Sequence, residues 1–225
     1  IWLVAAVCLM TLAVLISTSR SGIIGLMGSL TASAWLSRHR RGAGVRRWTI
    51  FQAVLLALVA VSFANFDAIV ARFDETLVVS AAGRGRRAIW ADARRVVQDF
   101  AITGTGAGTF GTAIAVYQTA EPGYSIGHAH NHYLQLAAEG GALVGVPAAL
   151  AAGAFLALFR RRLKEDHSAN HLIRAGAISG IVAALIQSLW ETGLRMPANA
   201  MLLAVLAAVA THSPAVSIAT RHRHG

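Results

Sequence analysis

Apolar residues are concentrated in six stretches of the chain, and polar segments of very different lengths separate them. Each stretch approaches the roughly 20 residues with which an α-helix crosses the hydrocarbon core of a bilayer. The predicted membrane spans are residues 1–17, 22–36, 48–64, 143–159, 175–190 and 197–211. The pattern therefore predicts an all-α fold, a polytopic bundle of about six transmembrane helices in which one large external loop joins the third and fourth spans.

The overall composition agrees with a membrane protein. Of the 225 residues, 56% are hydrophobic and only 13% are charged, which is too apolar for an ordinary soluble domain. The first apolar stretch has neither a starting Met nor a basic leader, and a second apolar span follows it, so we predict a membrane helix rather than a signal peptide. We expect further membrane helices upstream, which would make this chain a fragment of a longer protein.

The basic residues predict the orientation of the bundle. A net charge of +10 can indicate nucleic-acid binding, but we expect no such partner, because Arg and Lys cluster in residues 37–47, in residues 160–174 and in the tail. These segments share one side of a six-span protein, and short basic loops mark the cytoplasmic side. We therefore predict three helices in residues 1–64, a large loop on the opposite, external side in residues 65–130, and three helices with a cytoplasmic tail in residues 131–225.

The external loop contains a helical pattern. Apolar residues recur at helical spacing on one face, and charged residues mostly avoid that face. The apolar residues are Ile89, Ala93, Val96, Val97 and Phe100. The spacing predicts an amphipathic helix over residues 86–100 that lies against the membrane surface or against the bundle.

A glycine-rich stretch, GTGAGTFG at residues 104–111, follows this predicted helix. The spacing of Gly106, Gly108 and Gly111 matches a dinucleotide-binding fingerprint, but that fingerprint needs a preceding strand and a following helix in a βαβ unit, and neither is predicted here. We interpret the glycines as a tight turn in which the backbone approaches a neighbour or a ligand closely.

Three histidines alternate in GHAHNHYLQLAAEGG, residues 127–141, where the loop enters the fourth span. They are His128, His130 and His132. Imidazole gains and loses a proton near neutral pH, so a histidine here is suited to act as a general base. Alternate side chains of an extended segment share one face, so a metal site formed by the three imidazoles is the alternative.

Four motifs in this order resemble the O-antigen ligase and polymerase family of bacterial envelope glycosyltransferases. They are TSRSG at the end of a span, RRAIW at the head of the loop helix, GTGAGTF, and HAHNHYLQLAAEGG at the entry to the next span. Proteins of this family usually have about twice as many spans, so the chain resembles their C-terminal half. The resemblance implies a multi-pass protein of the bacterial inner membrane with its active site facing the periplasm.

The resemblance also implies an enzymatic activity, the transfer of a glycan from a polyprenyl-diphosphate carrier to an acceptor hydroxyl, as in lipopolysaccharide biosynthesis. The implied partners are the lipid-linked donor, the surrounding membrane lipids, and an acceptor that is lipid A core, another glycan or a protein. Neither a cofactor nor a metal ion is implied.

Carried over onto this sequence, the family's catalytic histidine falls on His130. Its diphosphate-binding arginines fall on Arg20 and Arg87, or on Arg86 if the register differs by one residue. Forked guanidinium groups suit a diphosphate because they bind oxygen pairs and keep their charge. The flanking residues with a supporting role are Asn131 and His128.

Several alternatives remain open at this stage. A flippase or other transporter of lipid-linked sugars would carry charges within its spans, whereas the unusual residues here gather at one external surface. A chain polymerase and a protein O-oligosaccharyltransferase share the same motifs. For the arginines of the loop, binding of anionic lipid headgroups is the alternative.

Overall fold

Every regular element that the structure describes is helical. The computed structural model describes residues 2–17, 19–37, 47, 50–52, 54–55, 78–119, 125–165 and 171–213. Within these ranges there is no strand, which confirms the predicted all-α class. The helices are α1 (Trp2–Ile16), α2 (Arg20–Ser37), α3 (Val78–Asp99), α4 (Phe110–Tyr117), α5 (His132–Glu165), α6 (His171–Gln187) and α7 (Pro197–Thr211), with a 3-10 turn at Gly193–Arg195.

Among the described helices, only α5 is long and apolar enough to cross a membrane. Helices α6 and α7 are apolar but have 17 and 15 residues. The predicted third span, residues 48–64, lies almost entirely outside the described residues. The six-span bundle therefore stays a prediction, while the helical class is established.

Helices α2 and α6 pack closely and run antiparallel. Glycines on α2 permit the approach, because a Cβ on Gly25 would lie 3.3 Å from the carbonyl oxygen of Ala183, and a Cβ on Gly28 would collide with the side chain of Ile186. Toward the other end of the pair, Leu36 belongs to the same apolar cluster as the first turns of α6. Close contact through small residues is typical of helices in lipid, where packing replaces the hydrophobic driving force.

This packing defines two ends of the bundle. At one, here called the histidine end, the start of α2 meets the end of α6, and the backbone N–H of His132 donates to the carbonyl of Ser188 at 2.9 Å. At the opposite end, here called the basic end, Arg174 donates to the carbonyl of Ala210 at 2.6 Å. Phe159 of α5 packs there in the apolar cluster that contains Leu36. The described part of the basic 160–174 segment therefore lies away from the histidines.

Helix α5 is interrupted at Gly141, whose backbone has φ +53° and ψ −156°. In an uninterrupted helix the next N–H groups would donate to carbonyls four residues earlier. Here Ala142 donates to the carbonyl of Ala101 at 2.8 Å, and Leu143 donates to that of Ile102 at 2.9 Å. The turn that follows α3 is thus joined by backbone hydrogen bonds to the long apolar helix.

The carbonyls before the interruption are also bonded to this turn. Those of Ala138 and Glu139 accept hydrogen bonds from the backbone N–H groups of Thr105 and Gly106, each at 2.9 Å. Gly104, with φ +67°, approaches so closely that a Cβ there would overlap the carbonyl of Glu139. The expectation of a tight turn that approaches a neighbour is confirmed, and the neighbour is α5. No strand precedes the turn, which follows α3 directly.

The predicted amphipathic helix exists and is longer than expected, beginning at Val78 instead of residue 86. Its apolar face packs on protein: Ala93 and Val96 are fully buried against α4 and the start of α5. Phe100 was assigned to this face wrongly, since it lies just beyond the helix and is 40% exposed. The buried residues of this cluster are Ala93, Val96, Phe110, Ile114, Ala129 and Ala138.

Two carboxylates of α3 hold the end of α4. Buried Asp92 accepts hydrogen bonds from the backbone N–H and the hydroxyl of Thr119, at 3.0 and 2.9 Å. Asp99 accepts one from the Tyr117 hydroxyl at 2.7 Å. This hydrogen bond raises the pKa of Tyr117 above its ordinary value, with further contributions from burial and from the Asp99 charge. Helices α3 and α4 and the turn between them, residues 78–117, are called the loop cap below.

Candidate active site

The histidine segment is clamped between the loop cap and α5. The indole N–H of Trp90 on α3 donates to the carbonyl of Ala129 at 2.8 Å. The backbone N–H of Ala129 donates to the side-chain oxygen of Gln135 on α5 at 3.1 Å. Both backbone polar groups of Ala129, which lies between His128 and His130, are therefore hydrogen-bonded. These bonds fix the backbone positions of the two histidines.

His130 turns the chain into α5. Its φ of +49° makes it the one non-glycine residue with a positive φ among those described, a conformation that costs about 1–2 kcal/mol for an L-residue. Asn131 then caps the helix, because its side-chain oxygen accepts a hydrogen bond from the N–H of Leu134 at 2.9 Å, and asparagine is among the best N-cap residues. The His-Asn pair thus has a structural basis: one residue bends the backbone and the next starts the helix.

The bend separates the three imidazoles. Nδ1 of His128 lies 3.5 Å from Nε2 of Gln135, and Nδ1 of His130 lies 4.0 Å from Oε2 of Glu191. His132 is already in the first turn of α5, where its Nδ1 is buried. The shared face assumed for a three-histidine metal site is not formed, and no group of three His, Cys, Asp or Glu side chains within the described ranges is placed to hold a metal ion.

Glu191 joins the loop cap to the histidine segment. Its Oε1 lies 3.4 Å from a terminal guanidinium nitrogen of Arg86, and its Oε2 faces His130 at 4.0 Å. Three elements distant in sequence, namely α3, the entry to α5 and the turn after α6, therefore meet at one carboxylate. The side chains are about two-fifths exposed, 39% for Arg86 and Glu191 and 43% for His130, so a substrate can reach them.

A second carboxylate of this region, that of Glu139, is held by several hydrogen bonds. One guanidinium nitrogen of Arg195 contacts both of its oxygens, at 2.8 and 2.9 Å. Gln135 and the backbone N–H of Gly108 each donate to it at 3.1 Å. Its side chain is only 11% exposed. Because both oxygens are occupied, we assign Glu139 a structural role.

The predicted arginines take different positions. Arg86, the alternative in register, contacts Glu191, whereas Arg87 is exposed. Arg20 begins α2 at the histidine end, and its side chain lies outside the described part of the structure. The adjacent Ser19 and Gly22 line a cavity of about 270 Å³ together with Gln187 of α6.

Three residues of this region were missed by the sequence analysis: Gln135, Glu191 and Arg195. Gln135 is 1% exposed, and its polarity within an apolar segment was the available signal. Glu191 and Arg195 lie in one short turn between two apolar helices. Charges beside a membrane are costly unless paired. The presence of Glu191 and Arg195 in this turn therefore indicated that each has a charged partner, but it did not identify that partner.

These features define a class: a helical membrane protein in which the loop cap brings an arginine to the same carboxylate as a histidine at one end of the bundle. The family model described as O-Antigen ligase matches residues 5–149, more than half of the chain, so the chain belongs to the O-antigen ligase family. Its members are glycosyltransferase-type enzymes of the bacterial inner membrane. The match includes the histidine segment and ends before Glu191. Comparison with curated proteins and with solved structures gives no match.

Proposed function

We propose that the protein transfers a glycan from a polyprenyl-diphosphate carrier to an acceptor hydroxyl at the periplasmic face of the inner membrane. The observation that carries this proposal is the meeting of Arg86 and His130 at the carboxylate of Glu191. One of these side chains suits the anionic leaving group and the other suits the acceptor's proton. Family membership supports the reaction type at a coarser level.

The arginines hold the diphosphate in this proposal. A guanidinium has five N–H donors in a planar fork, and Arg86 contacts Glu191 through one terminal nitrogen. Its remaining donors can bind phosphate oxygens. Arg87, exposed beside it, and Arg20, at the same end of the bundle, are the other proposed ligands. The donor diphosphate already carries about two negative charges and gains another as its bond to the glycan breaks, and guanidinium groups stabilise this charge without losing their own.

His130 acts as the general base. Its Nδ1 faces Glu191, so Nε2 takes the proton of the acceptor hydroxyl. The hydroxyl oxygen forms a bond to the anomeric carbon of the glycan, and the bond from that carbon to the diphosphate oxygen breaks. The electron pair leaves with the polyprenyl diphosphate, and the imidazolium then releases its proton to solvent.

The distribution of charge supports the proposed periplasmic location. The basic end of the bundle carries Arg160, Arg161 and Arg162 in the last turns of α5, and clusters of this kind favour the cytoplasmic side. The histidine segment lies at the opposite end of the same helix. A site there faces the periplasm, where donor and acceptor meet.

Deletion of the gene tests this function and separates it from lipid-linked sugar transport. We expect deleted cells to lose a surface glycan and to accumulate its lipid-linked precursor on the periplasmic face, where added glycosidase can reach it. A flippase would leave the precursor on the cytoplasmic face, and an unchanged precursor pool would contradict both activities. The product that disappears identifies the acceptor as lipid A core, a growing glycan or a protein.

A further inference from the structure

Glu191 faces both groups that the proposed reaction requires. Its two oxygens point to different partners, Oε1 to Arg86 at 3.4 Å and Oε2 to His130 at 4.0 Å. We propose that Glu191 is a positioning residue that holds Arg86 until the donor binds and then orients His130. This inference rests on the proposed function and concerns a residue outside the segment that the family model matches.

The length of the Arg86 contact indicates that it is exchangeable. Charge-assisted hydrogen bonds between guanidinium and carboxylate are commonly about 2.7–2.9 Å long. The Arg195 to Glu139 pair has such distances, at 2.8 and 2.9 Å, and its carboxylate is 11% exposed. The Arg86 to Glu191 pair is longer and its carboxylate is 39% exposed. The ion pair between Arg195 and Glu139 is therefore stable, whereas the ion pair between Arg86 and Glu191 can break.

The position of Glu191 also argues against a purely stabilising role. Its N–H donates to the carbonyl of Gln187, the last residue of α6, at 3.1 Å. A carboxylate at a helix C-terminus is disfavoured, because the helix dipole places partial negative charge there. Glu191 destabilises the end of its own helix and faces two functional side chains. A role in the site therefore explains its position better than a role in the fold.

Donor binding changes the partners of this carboxylate. A diphosphate carries more negative charge than one carboxylate and competes for the Arg86 guanidinium. Glu191 then loses its cationic partner and moves across the 4.0 Å gap to His130. A hydrogen bond from Nδ1–H to the carboxylate would leave Nε2 as the basic nitrogen, and the carboxylate would stabilise the imidazolium that forms. His130 is therefore oriented only when the donor is present.

The test is Glu191→Gln, which keeps the shape and removes the charge. In the reconstituted full chain, with lipid-linked glycan extracted from the native cells, we expect kcat to fall by about 10²-fold, the typical effect of misplacing a catalytic group. We expect polyprenyl diphosphate to bind about two- to fivefold more tightly, because Arg86 no longer has a competing carboxylate. Misfolding cannot tighten binding, so this pair of results is specific. The matched control is Glu165→Gln, which removes ion pairs with Arg161 and Arg162 at the basic end and should change neither value.

A double variant shows whether Glu191 acts through His130. If it does, Glu191→Gln should add no further loss of kcat in a His130→Ala background, because residues that act as one unit are not additive. Additive losses, or a normal kcat in Glu191→Gln, would overturn the inference while leaving the proposed function intact, provided that wild type transfers and that transfer by His130→Ala falls by about 10²- to 10⁴-fold. If wild type itself transfers no glycan from the lipid-linked donor, the proposed function fails and this inference fails with it.

Discussion

Gly104 of the loop cap lies against the backbone of α5 next to Gly141, the residue at which that helix is interrupted. A Cβ on Gly141 would come within 2.6 Å of the carbonyl oxygen of Ile102, in the same turn. Irregular backbone near a membrane is tolerated only where protein satisfies its polar groups. The cap satisfies them here, so the cap and the membrane helix form one unit, and the site lies where they join.

This relationship predicts that Gly104→Ala damages the protein more than an ordinary loop substitution. The new Cβ would strike the carbonyl of Glu139, in addition to the cost of about 1–2 kcal/mol for a left-handed alanine. The control is Gly108→Ala, since Gly108 has a similar φ of +76° and open space around its Cβ position. We expect a clearly larger drop in the unfolding temperature of detergent-purified Gly104→Ala. Equal drops for both variants would show that the close approach to α5 is unimportant.

The cap should loosen in strong alkali through Tyr117. Its pKa is raised by the hydrogen bond to Asp99, so the folded cap favours the neutral phenol. The stabilisation is complete below the unfolded value near pH 10 and is lost as the pH rises through the higher folded value. Fluorescence of Trp90 or proteolysis of the cap between about pH 9 and 12 should show this transition in wild type and a weaker one in Tyr117→Phe. Identical pH profiles for wild type and Tyr117→Phe would show that the hydrogen bond from Tyr117 to Asp99 does not stabilise the cap.

The arginines can be ranked by conservative substitution. We expect Arg86→Lys to impair transfer although charge is retained, because an ammonium cannot grip a diphosphate with a planar fork. Arg87→Lys should do less, because Arg87 is exposed and Arg86 is the residue that contacts Glu191. Arg20→Lys should resemble Arg86→Lys. Transfer rates are compared at matched protein levels in reconstituted membranes. A larger loss for Arg87→Lys would restore the first register assignment, and normal rates for all three would make them lipid contacts.

The orientation of the bundle is tested by labelling single cysteines after Cys8→Ser removes the one native cysteine. Ser168→Cys lies in the predicted cytoplasmic loop and Ser125→Cys lies beside the histidine segment. An impermeant maleimide added to intact spheroplasts should label position 125 and spare position 168, because the basic loop stays inside. Labelling of position 168 would contradict the predicted topology and move the site to the cytoplasm.

The sequence predicted those features that have a local or periodic signal. The buried face of α3 was predicted through Ala93 and Val96, and the tight glycine turn was predicted from its composition. Asp92 is charged, and the helical spacing placed it off the apolar face, yet its exposure is only 1%. It can be buried because it accepts hydrogen bonds from Thr119, which lies 27 residues away in the chain. Helical spacing carries no information about such a partner.

The same reason explains what was missed in the site. The histidines and arginines were singled out as candidates because imidazole and guanidinium have few common uses at a membrane surface. The interruption at Gly141 was not predicted, since its hydrogen-bond partners belong to a turn about 40 residues earlier in the chain. Glu191 was missed because its importance depends on Arg86, which is 105 residues away.

The central claim is that His130 accepts the proton of the acceptor hydroxyl while the arginines bind the donor. The most direct measurement compares His130→Ala with wild type for both glycan transfer and polyprenyl diphosphate binding in the same reconstituted membranes. We expect transfer to fall by about 10²- to 10⁴-fold, the usual value of general-base assistance, with binding unchanged and with smaller losses of transfer in His128→Ala and His132→Ala. Full transfer by His130→Ala, or equal losses at all three histidines that chelator reproduces and zinc reverses, would contradict the account.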